Sequence, residues 1–402
     1  MEGANRMESK RFLLTVLTLS MTFVILVCDI PIPFALEDVS ETDEYTVTLL
    51  PEKMPLGLSL GSGAWDGKYA YVFGGWAGRH ASGVIVKYDP KNHLATALFD
   101  NLPSPRTGTS AVYAYGTSYG SHNVCYIFGG ASGVGSYDAS IEVVRFWPES
   151  CWRDIPRYIP GRISTSAIWD GGAAYLFGGK KAPGESIPSA FTDEILKFEP
   201  PTSKILPVKL PHVRAHTSAV WDGKNAYIFG GGYINETFEY EFLDDILKFD
   251  PATNKIAIME AKLPSPRAYT SAIWDEHNAY VFGGETRING SVVYLDEVVR
   301  YNPLADEVAV LPQRLPTPRE GTVAVWTGSV AYVFGGRGEK ADTQIVMMSH
   351  ETKFTFPWLN IILMSTLAVG VAVSLSIYVV KKHMGKSEEV IPLEACSPPS
   401  PN

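Results

Sequence analysis

The chain has 402 residues, 46% of them hydrophobic, and its formal net charge is −9. An acidic chain argues against nucleic acid as a partner, because phosphate backbones are bound by clustered lysine and arginine. Four cysteines are few for a chain of this length.

The N-terminal segment, residues 1–35, has the layout of a secretory signal. Three basic residues, Arg6, Lys10 and Arg11, precede an almost purely apolar run from Phe12 to Val27. A basic start followed by an apolar stretch directs a chain to the secretory pathway. No good small-x-small cleavage site follows, so both a cleaved signal peptide and an uncleaved signal anchor stay open.

Residues 36–44 are predicted to be an acidic linker, and residues 45–349 form a repeat region. Six strands in this region end in Phe-Gly-Gly, at a spacing of roughly 50 residues, which is typical of β-propeller blades. The six doublets are Gly74-Gly75, Gly129-Gly130, Gly178-Gly179, Gly230-Gly231, Gly283-Gly284 and Gly335-Gly336.

The fourth unit shows the pattern of one blade most clearly. A strand rich in β-branched and aromatic residues, predicted over 214–221, precedes Asp222-Gly223, which suits a tight hairpin turn. Residues 225–229 are an almost continuous apolar run, as expected for a strand covered on both faces. Two further strands are predicted at 245–251 and 255–258. Four antiparallel strands, labelled A to D and repeated six times, predict an all-β, six-bladed propeller.

The Gly-Gly doublet after an aromatic strand, with another aromatic residue in strand C, resembles the kelch repeat. The strand C aromatics are Tyr88, Phe146, Phe198, Phe249 and Tyr301. The resemblance implies a kelch-type β-propeller over residues 45–349. The family usually has a tryptophan in strand D, whereas this chain has an aromatic residue at the end of strand A. We interpret these strand A residues as core residues that take over the packing role of the strand D tryptophan. These residues are Trp65, Tyr113, Trp169, Trp221, Trp274 and Trp326.

The sixth unit contains strands A to C, but no fourth strand follows them. Residues 45–50, upstream of the first strand A, have the composition of a strand. We therefore predict that this N-terminal segment is the outer strand of the last blade and closes the ring. Closure of this kind protects strand edges that would otherwise pair with other chains.

The C-terminal region contains an uncharged apolar run from Trp358 to Val380, behind a juxtamembrane segment at 350–357. At about 1.5 Å per residue, such a run crosses a hydrocarbon core of about 30 Å, so a transmembrane helix is predicted over 358–380. Lys381 and Lys382 predict that the short tail, residues 381–402, is cytoplasmic. With the leader, this predicts a single-pass protein of the cell membrane or another secretory-pathway membrane, its propeller extracytoplasmic.

Two cysteines, Cys125 and Cys151, fall in the repeat region. They are predicted on strands B and D of one blade, about 9.5 Å apart, which is too far for an undistorted disulfide. Asn235 and Asn289 begin glycosylation sequons in loops, which would suit an exported glycoprotein.

Antiparallel strand order gives the propeller two different faces. The B–C loops and D–A links share one face, here called the loop face, and the A–B and C–D turns share the other, the hairpin face. Both chain ends leave from the hairpin face, so the loop face is expected to point away from the membrane and to bind a ligand. Its loops mix aromatic residues with arginine, a composition typical of binding surfaces. The candidate ligand-binding residues are Trp76, Arg79, Tyr137, Phe191, Tyr233, Tyr240, Arg287, Tyr294 and Arg337.

An arginine recurs at the start of strand A in five units, and Leu58 takes its place in the first. Five arginines around a central channel would attract an anionic ligand. Recurrence in register instead favours a structural role, such as bonding to carbonyls of a neighbouring blade or to Asp244 and Asp296. The five are Arg106, Arg162, Arg214, Arg267 and Arg319.

The function favoured by these observations is a membrane-held binding module for a protein or glycan ligand. Seven of the eight histidines lie before the transmembrane segment, without the spacing of metal ligands. No Ser/His/Asp arrangement or phosphate-binding glycine loop occurs, so no catalytic residue, metal or cofactor is predicted. Some kelch-like propellers are carbohydrate-active enzymes, so a mutarotase- or hydrolase-like enzyme at the loop face is an alternative. A structural component of a cell-envelope complex is a third hypothesis.

Overall fold

The computed structural model describes residues 40–115, 123–133, 139–181, 190–355, 374 and 377–378. The strands in these residues pair into six four-stranded antiparallel sheets and three two-stranded ribbons. Residues Tyr45–Glu351 form one compact unit, and the remaining described residues belong to a second unit.

Strands A and B form the inner half of each blade. Each strand A contacts strand A of the blade before and the blade after, so the six of them close a ring around a central channel. From blade one to blade six, the strands A are Ser62–Trp65, Ser110–Ala114, Ser166–Trp169, Ser218–Trp221, Ser271–Trp274 and Val323–Trp326. The strands B are Ala70–Trp76, Val124–Phe128, Ala174–Phe177, Ala226–Phe229, Ala279–Phe282 and Val330–Phe334.

Strands C and D form the outer half of each blade. The strands C are Ala81–Asp89, Glu142–Trp147, Glu194–Glu199, Asp245–Asp250, Glu297–Asn302 and Gln344–Thr355. The strands D are Leu94–Ala97, Trp152–Tyr158, Thr202–Lys209, Lys255–Lys262, Glu307–Arg314 and, for blade six, Ser40–Lys53. The three ribbons lie on the loop face and pair Arg162–Ile163 with Lys180–Lys181, Gly232–Ile234 with Tyr240–Phe242, and Glu285–Ile288 with Ser291–Tyr294.

The hydrophobic core lies between neighbouring blades, where the faces of two sheets meet. Between blades four and five, for example, Phe229 and Tyr227 pack with Tyr301 and Val281. The aromatic residue that ends strand A belongs to these interfaces: Trp169 stacks on Tyr126 of the preceding blade with ring centroids 6.2 Å apart. The recurring strand A aromatics therefore do pack in the core, as interpreted from the sequence.

The Gly-Gly doublets join each blade to the next. Both glycines of every doublet have a positive φ, a region that residues with a side chain rarely adopt. The second glycine donates its N–H to the carbonyl of the residue at the arginine position of the next blade, at 2.8–2.9 Å in all six blades. A Cβ on the first glycine would lie 2.6 Å or less from that same carbonyl oxygen, so only glycine fits there.

The recurring arginines are structural, as the sequence analysis favoured. Their side chains are at most 3% exposed, and each forms an ion pair with a carboxylate at or just before the start of strand C in its own blade. The predicted partners Asp244 and Asp296 are wrong: Arg214 pairs with Asp245, one residue further along the chain, and Arg267 with Glu297. The arginine carbonyl binds the preceding blade while its side chain binds its own, so each arginine joins two blades.

The N-terminal strand closes the ring as strand D of blade six, which confirms the predicted closure. It begins at Ser40, earlier than the predicted residue 45. Its Tyr45 hydroxyl lies 2.5 Å from the Tyr280 hydroxyl of blade five. Leu50 and Met54 pack instead with blade one, so the strand adds core contacts on both sides of its blade.

The two cysteines in the repeat region are free thiols, and Cys125 is buried. The predicted strand position of Cys151 is wrong, because this residue lies in the C–D turn and strand D begins at Trp152.

Among the residues that the structure describes, none forms a helix both long and apolar enough to cross a membrane. The leader lies outside the described residues. The predicted transmembrane segment 358–380 also lies outside them, apart from the helical positions Ser374, Ile377 and Tyr378.

Replacing the first glycine of a doublet should destabilise the protein more than replacing an equally strained glycine in open space. Gly178→Ala places a Cβ against the Arg214 carbonyl, whereas Gly171 has a positive φ but no atom within 4 Å of the added Cβ. We expect Gly171→Ala to lower the free energy of unfolding by about 1–2 kcal/mol. Gly178→Ala should lower it by more than about 4 kcal/mol or prevent folding. Chemical denaturation measures both, and equal losses would contradict the idea that the close approach of the Arg214 carbonyl requires glycine at position 178.

Deleting residues 45–50 should cause aggregation, because strand C of blade six would keep an unpaired edge. The measurement is size-exclusion chromatography with light scattering on the full chain. Glu52→Gln, which keeps the strand intact, is the control. A deletion variant that stays monomeric and soluble would show that this strand does not protect the ring.

Candidate functional site

Three positions in each blade surround the opening of the channel at the loop face. The first position follows the Gly-Gly doublet, and the second follows the arginine position. These two residues pair as a short antiparallel bridge in every blade, because the doublet brings the two segments together. The bridge pairs are Trp76 with Ser59, Ala131 with Thr107, Lys180 with Ile163, Gly232 with Ala215, Glu285 with Ala268, and Arg337 with Glu320.

The third position forms a closed ring of six backbone hydrogen bonds around the channel. Each N–H donates to the carbonyl of the equivalent residue in the preceding blade, at 2.7–2.9 Å. All six residues have φ between 57° and 67°. They are Leu60, Gly108, Ser164, His216, Tyr269 and Gly321, and they line a cavity of about 70 Å³.

Six side chains at these positions and two further aromatic side chains of the B–C loops form one cluster above blades three to six, which we call the central basin. Its members come from four B–C loops and three D–A links. Ring contacts join the aromatic members, and burial, followed by the charges of Glu285 and Glu320, raises the pKa of Tyr269. The central basin consists of Lys180, Phe191, His216, Tyr240, Tyr269, Glu285, Glu320 and Arg337.

The aromatic part of the central basin surrounds a buried histidine. His216 is 8% exposed and stacks on Tyr269 with ring centroids 3.8 Å apart. Tyr240 lies 6.4 Å from His216 and 6.4 Å from Phe191, again between centroids. Burial and the nearby charge of Lys180 hold the pKa of His216 well below its ordinary value, so the imidazole is neutral at pH 7. Its Nε2 has no hydrogen-bond partner in the part of the chain that the structure describes.

The acidic part of the central basin is a pair of interacting carboxyl groups. Glu320 is 1% exposed and forms an ion pair with Arg337 through Oε1 and Nη2. Glu285 lies beside Glu320, and burial followed by the Glu320 charge raises the pKa of Glu285 to about 8. The pair therefore carries about one negative charge at neutral pH, because two adjacent carboxyl groups in a poorly hydrated site do not both ionise.

The basic part of the central basin is Lys180, whose ammonium group lies 5.1 Å from the Phe191 ring centroid. Burial lowers the pKa of Lys180 to about 8. Within the described residues it forms no ion pair, whereas its neighbour Lys181 pairs with Glu194. The central basin thus holds a partly desolvated cation that forms no ion pair with a described residue, an arrangement suited to a ligand that carries negative charge.

The predicted ligand-binding residues are divided between this cluster and its surroundings. Phe191, Tyr240 and Arg337 belong to the central basin, and Tyr294 pairs with Glu285 across a ribbon. Tyr233 lies on another ribbon and Arg287 is exposed. Trp76 and exposed Arg79 lie on blade one and are not part of this cluster, and Tyr137 lies outside the described residues.

Four members of the central basin, His216, Tyr269, Glu285 and Glu320, were missed from the sequence. Their positions in the repeat could have identified them, because each lies at one of the three positions defined by the Gly-Gly doublet and the arginine. The third position is Leu, Gly or Ser in four blades but His and Tyr in blades four and five. Among the described residues, no group of three or more His, Cys, Asp and Glu side chains is arranged to hold a metal ion.

Comparison with known proteins finds similarity to kelch-repeat proteins. The model of the KLHDC2/KLHL20/DRC7 Kelch-repeats domain matches residues 164–367. A kelch domain-containing protein of Archaeoglobus fulgidus is 30% identical over 145 residues, 35% of this chain and 42% of that protein. Another from Pyrococcus furiosus is 27% identical over 191 residues, 46% of this chain and 52% of that protein. The chain thus spans about half the length of these relatives.

The solved structure of YjhT also has this fold. It superimposes with a TM-score of 0.61 at 19% sequence identity, covering 75% of this chain and 99% of that one. At this identity the likeness concerns the fold alone.

The pH dependence of stability tests the acidic pair. The folded-state pKa of Glu285 lies above its ordinary value of 4.5. Its carboxyl group therefore does not lower the free energy of unfolding below about pH 4.5, and lowers it progressively as pH rises toward 8. Glu285→Gln should therefore lose less stability than the parent between pH 5 and pH 8, by about 1–2 kcal/mol after allowance for solvent screening.

Urea denaturation at the two pH values measures this difference. Glu307→Gln, at an exposed position of strand D in blade five, is the matched control and should follow the parent. If Glu285→Gln also followed the parent, the two carboxyl groups would not share a proton in the folded protein.

Proposed function

The chain belongs to the kelch-repeat family, and we propose that it is a binding module that holds a partner protein at its loop face, in the central basin. Kelch propellers are generally protein-binding modules. The site proposed here uses positions that differ among the blades, while the repeated positions maintain the ring.

The observation that carries this proposal is Lys180, a partly buried cation without an ion-pair partner among the described residues. Burying a charge without a partner is unfavourable, so such a group is retained where a ligand supplies the partner. The unpaired Nε2 of His216 adds a second polar group nearby. A carboxylate of the partner protein satisfies Lys180, while Phe191 and Tyr240 contact the apolar atoms beside it.

We also propose that the protein spans a membrane once and presents the propeller outside the cell. Support comes from the basic and apolar leader, the uncharged run from Trp358 to Val380, and the two lysines behind it. The sequon at Asn289 lies at an exposed ribbon turn, whereas the Asn235 amide donates to Glu241 at 2.9 Å, so Asn289 is the better acceptor for a glycan.

The second candidate function is a carbohydrate-active enzyme, with a glycan in the central basin. The interacting carboxyl groups of Glu285 and Glu320 favour it, because a protonated and an ionised carboxyl side by side supply an acid and a base. In this case Glu285→Gln abolishes turnover of the glycan. In the binding module, the same substitution changes affinity only in part.

Capture of partners by the full chain in dodecyl maltoside tests the proposal. The probes are a library of proteome-derived peptides and a glycan array, both screened at pH 7 and pH 9. Lys180→Gln should weaken binding at least about tenfold, equivalent to ~1.4 kcal/mol. Parent binding should also fall as pH rises through about 8, because Lys180 loses its proton.

Lys262→Gln is the matched control, since Lys262 is exposed on an outer strand and pairs with Asp244. Binding that survives Lys180→Gln unchanged would place the ligand away from the central basin. Capture of glycans and no peptide would favour the second candidate function.

A further inference from the structure

The opposite end of the channel, at the hairpin face, is surrounded by aromatic rings. The last residue or last but one of every strand A is aromatic, and these six residues line one cavity of about 240 Å³. We call the set the aromatic cage. It consists of Trp65, Tyr113, Trp169, Trp221, Trp274 and Trp326.

The aromatic cage stays open because the residues two positions earlier in strand A are small. Gly63, Ala167, Ala219, Ala272 and Ala324 line the same cavity deeper in the channel. Trp169 is buried against blade two, but the other five rings of the cage are only partly buried. Core packing therefore explains one side of these rings, and their other side lines the cavity formed by the described residues.

Acidic residues surround this end of the channel. Aspartate follows four of the tryptophans, at Asp66, Asp170, Asp222 and Asp275. Each carboxylate accepts two backbone N–H groups of its own turn, which fixes it at the A–B hairpin. With Glu276, the described A–B turns carry five acidic residues against two lysines, a net formal charge of −3 for these turns.

The combination of aromatic rings and negative charge selects a class of ligand. Indole is the best side chain for cation–π attraction, and rings that surround a cavity bind quaternary ammonium groups. A small inorganic cation requires six or more oxygen ligands, whereas the described side chains of this lining offer only the Tyr113 hydroxyl. An anion is disfavoured by the aspartates.

We propose that the aromatic cage is a binding site for an organic cation with a quaternary ammonium group. The rings contact the methyl groups of the cation, and the aspartates of the A–B turns supply long-range attraction. The site is independent of the central basin, because it lies at the other end of the channel and uses other residues.

Choline is the probe for the charge of the ligand, and 3,3-dimethylbutan-1-ol, its neutral isostere, is the control ligand. Titration of the full chain in dodecyl maltoside, followed by tryptophan fluorescence and calorimetry, should show saturable choline binding. The isostere should bind at least about tenfold more weakly, which corresponds to ~1.4 kcal/mol of cation–π and Coulomb attraction. Equal binding of both, or no saturable binding of choline, would overturn the proposal.

Two variants locate the site. Trp221→Leu and Trp274→Leu remove partly exposed rings of the cage, and each should weaken choline binding at least about fivefold, close to 1 kcal/mol. Trp152→Leu, at a position 57% exposed on strand D of blade two, should leave it unchanged. Binding that is lost equally in all three variants, or in none, would contradict the assignment to the cage. Circular dichroism melting of each variant verifies that it is folded.

A quaternary ammonium group occurs both in free solutes and in lipid headgroups. Competition by dihexanoyl phosphatidylcholine below its micelle concentration, with dihexanoyl phosphatidylglycerol as control, separates the two sources. Displacement of choline by the first lipid alone supports the cage as a headgroup site, and displacement by neither supports a free solute. Displacement by both lipids alike would mean that the charge of the ligand is not recognised, and would overturn the proposal.

Discussion

The structure depends on one contact repeated six times, in which the second glycine of a doublet donates its N–H to the carbonyl of the next blade. The contact requires a positive φ and the absence of a side chain, so it fixes two residues in every repeat. In five blades the residue that supplies the carbonyl is an arginine, whose buried side chain then fixes the start of strand C in its own blade. Blade order, blade spacing and the width of the channel follow from these contacts.

The repeated part of the fold could be predicted from the sequence, whereas the central basin largely could not. Six Phe-Gly-Gly segments, the Asp-Gly turn and the strand at 45–50 each indicate local structure, and the structure agrees with them. The basin instead joins residues such as Phe191 and Tyr240, which lie in different blades and come into contact only when those blades pack together. Composition singled out aromatic and arginine residues in the loops, so it found Phe191 and Tyr240. It overlooked His216 and Glu320, which look like ordinary members of strand-forming segments.

The two ends of the channel differ in chemistry because they use different positions of the same repeat. At the loop face, the hydrogen bond between neighbouring blades brings together three variable positions per blade, and in four of the six blades these hold a cluster of mixed charge. At the hairpin face, the end of strand A is aromatic in all six blades, which gives a site with nearly sixfold symmetry. The first arrangement suits an asymmetric partner, and the second suits a compact, nearly spherical group.

The junction between blades six and one differs from the other five. A serine–threonine hydrogen bond links strand A of each blade to the next blade, from Ser62–Thr109 to Ser271–Thr322, but Val323 and Gly61 occupy these positions at the junction. The strand that completes blade six also joins residues far apart in the chain, since Thr46 bonds to Ser349 across 303 positions. At about 5–20 residues per second, the ribosome needs roughly 15–60 s to make the partner of this strand. The edge of the N-terminal strand, Ser40–Lys53, therefore stays unpaired throughout that interval. An unpaired strand edge is a binding site for a chaperone during that time.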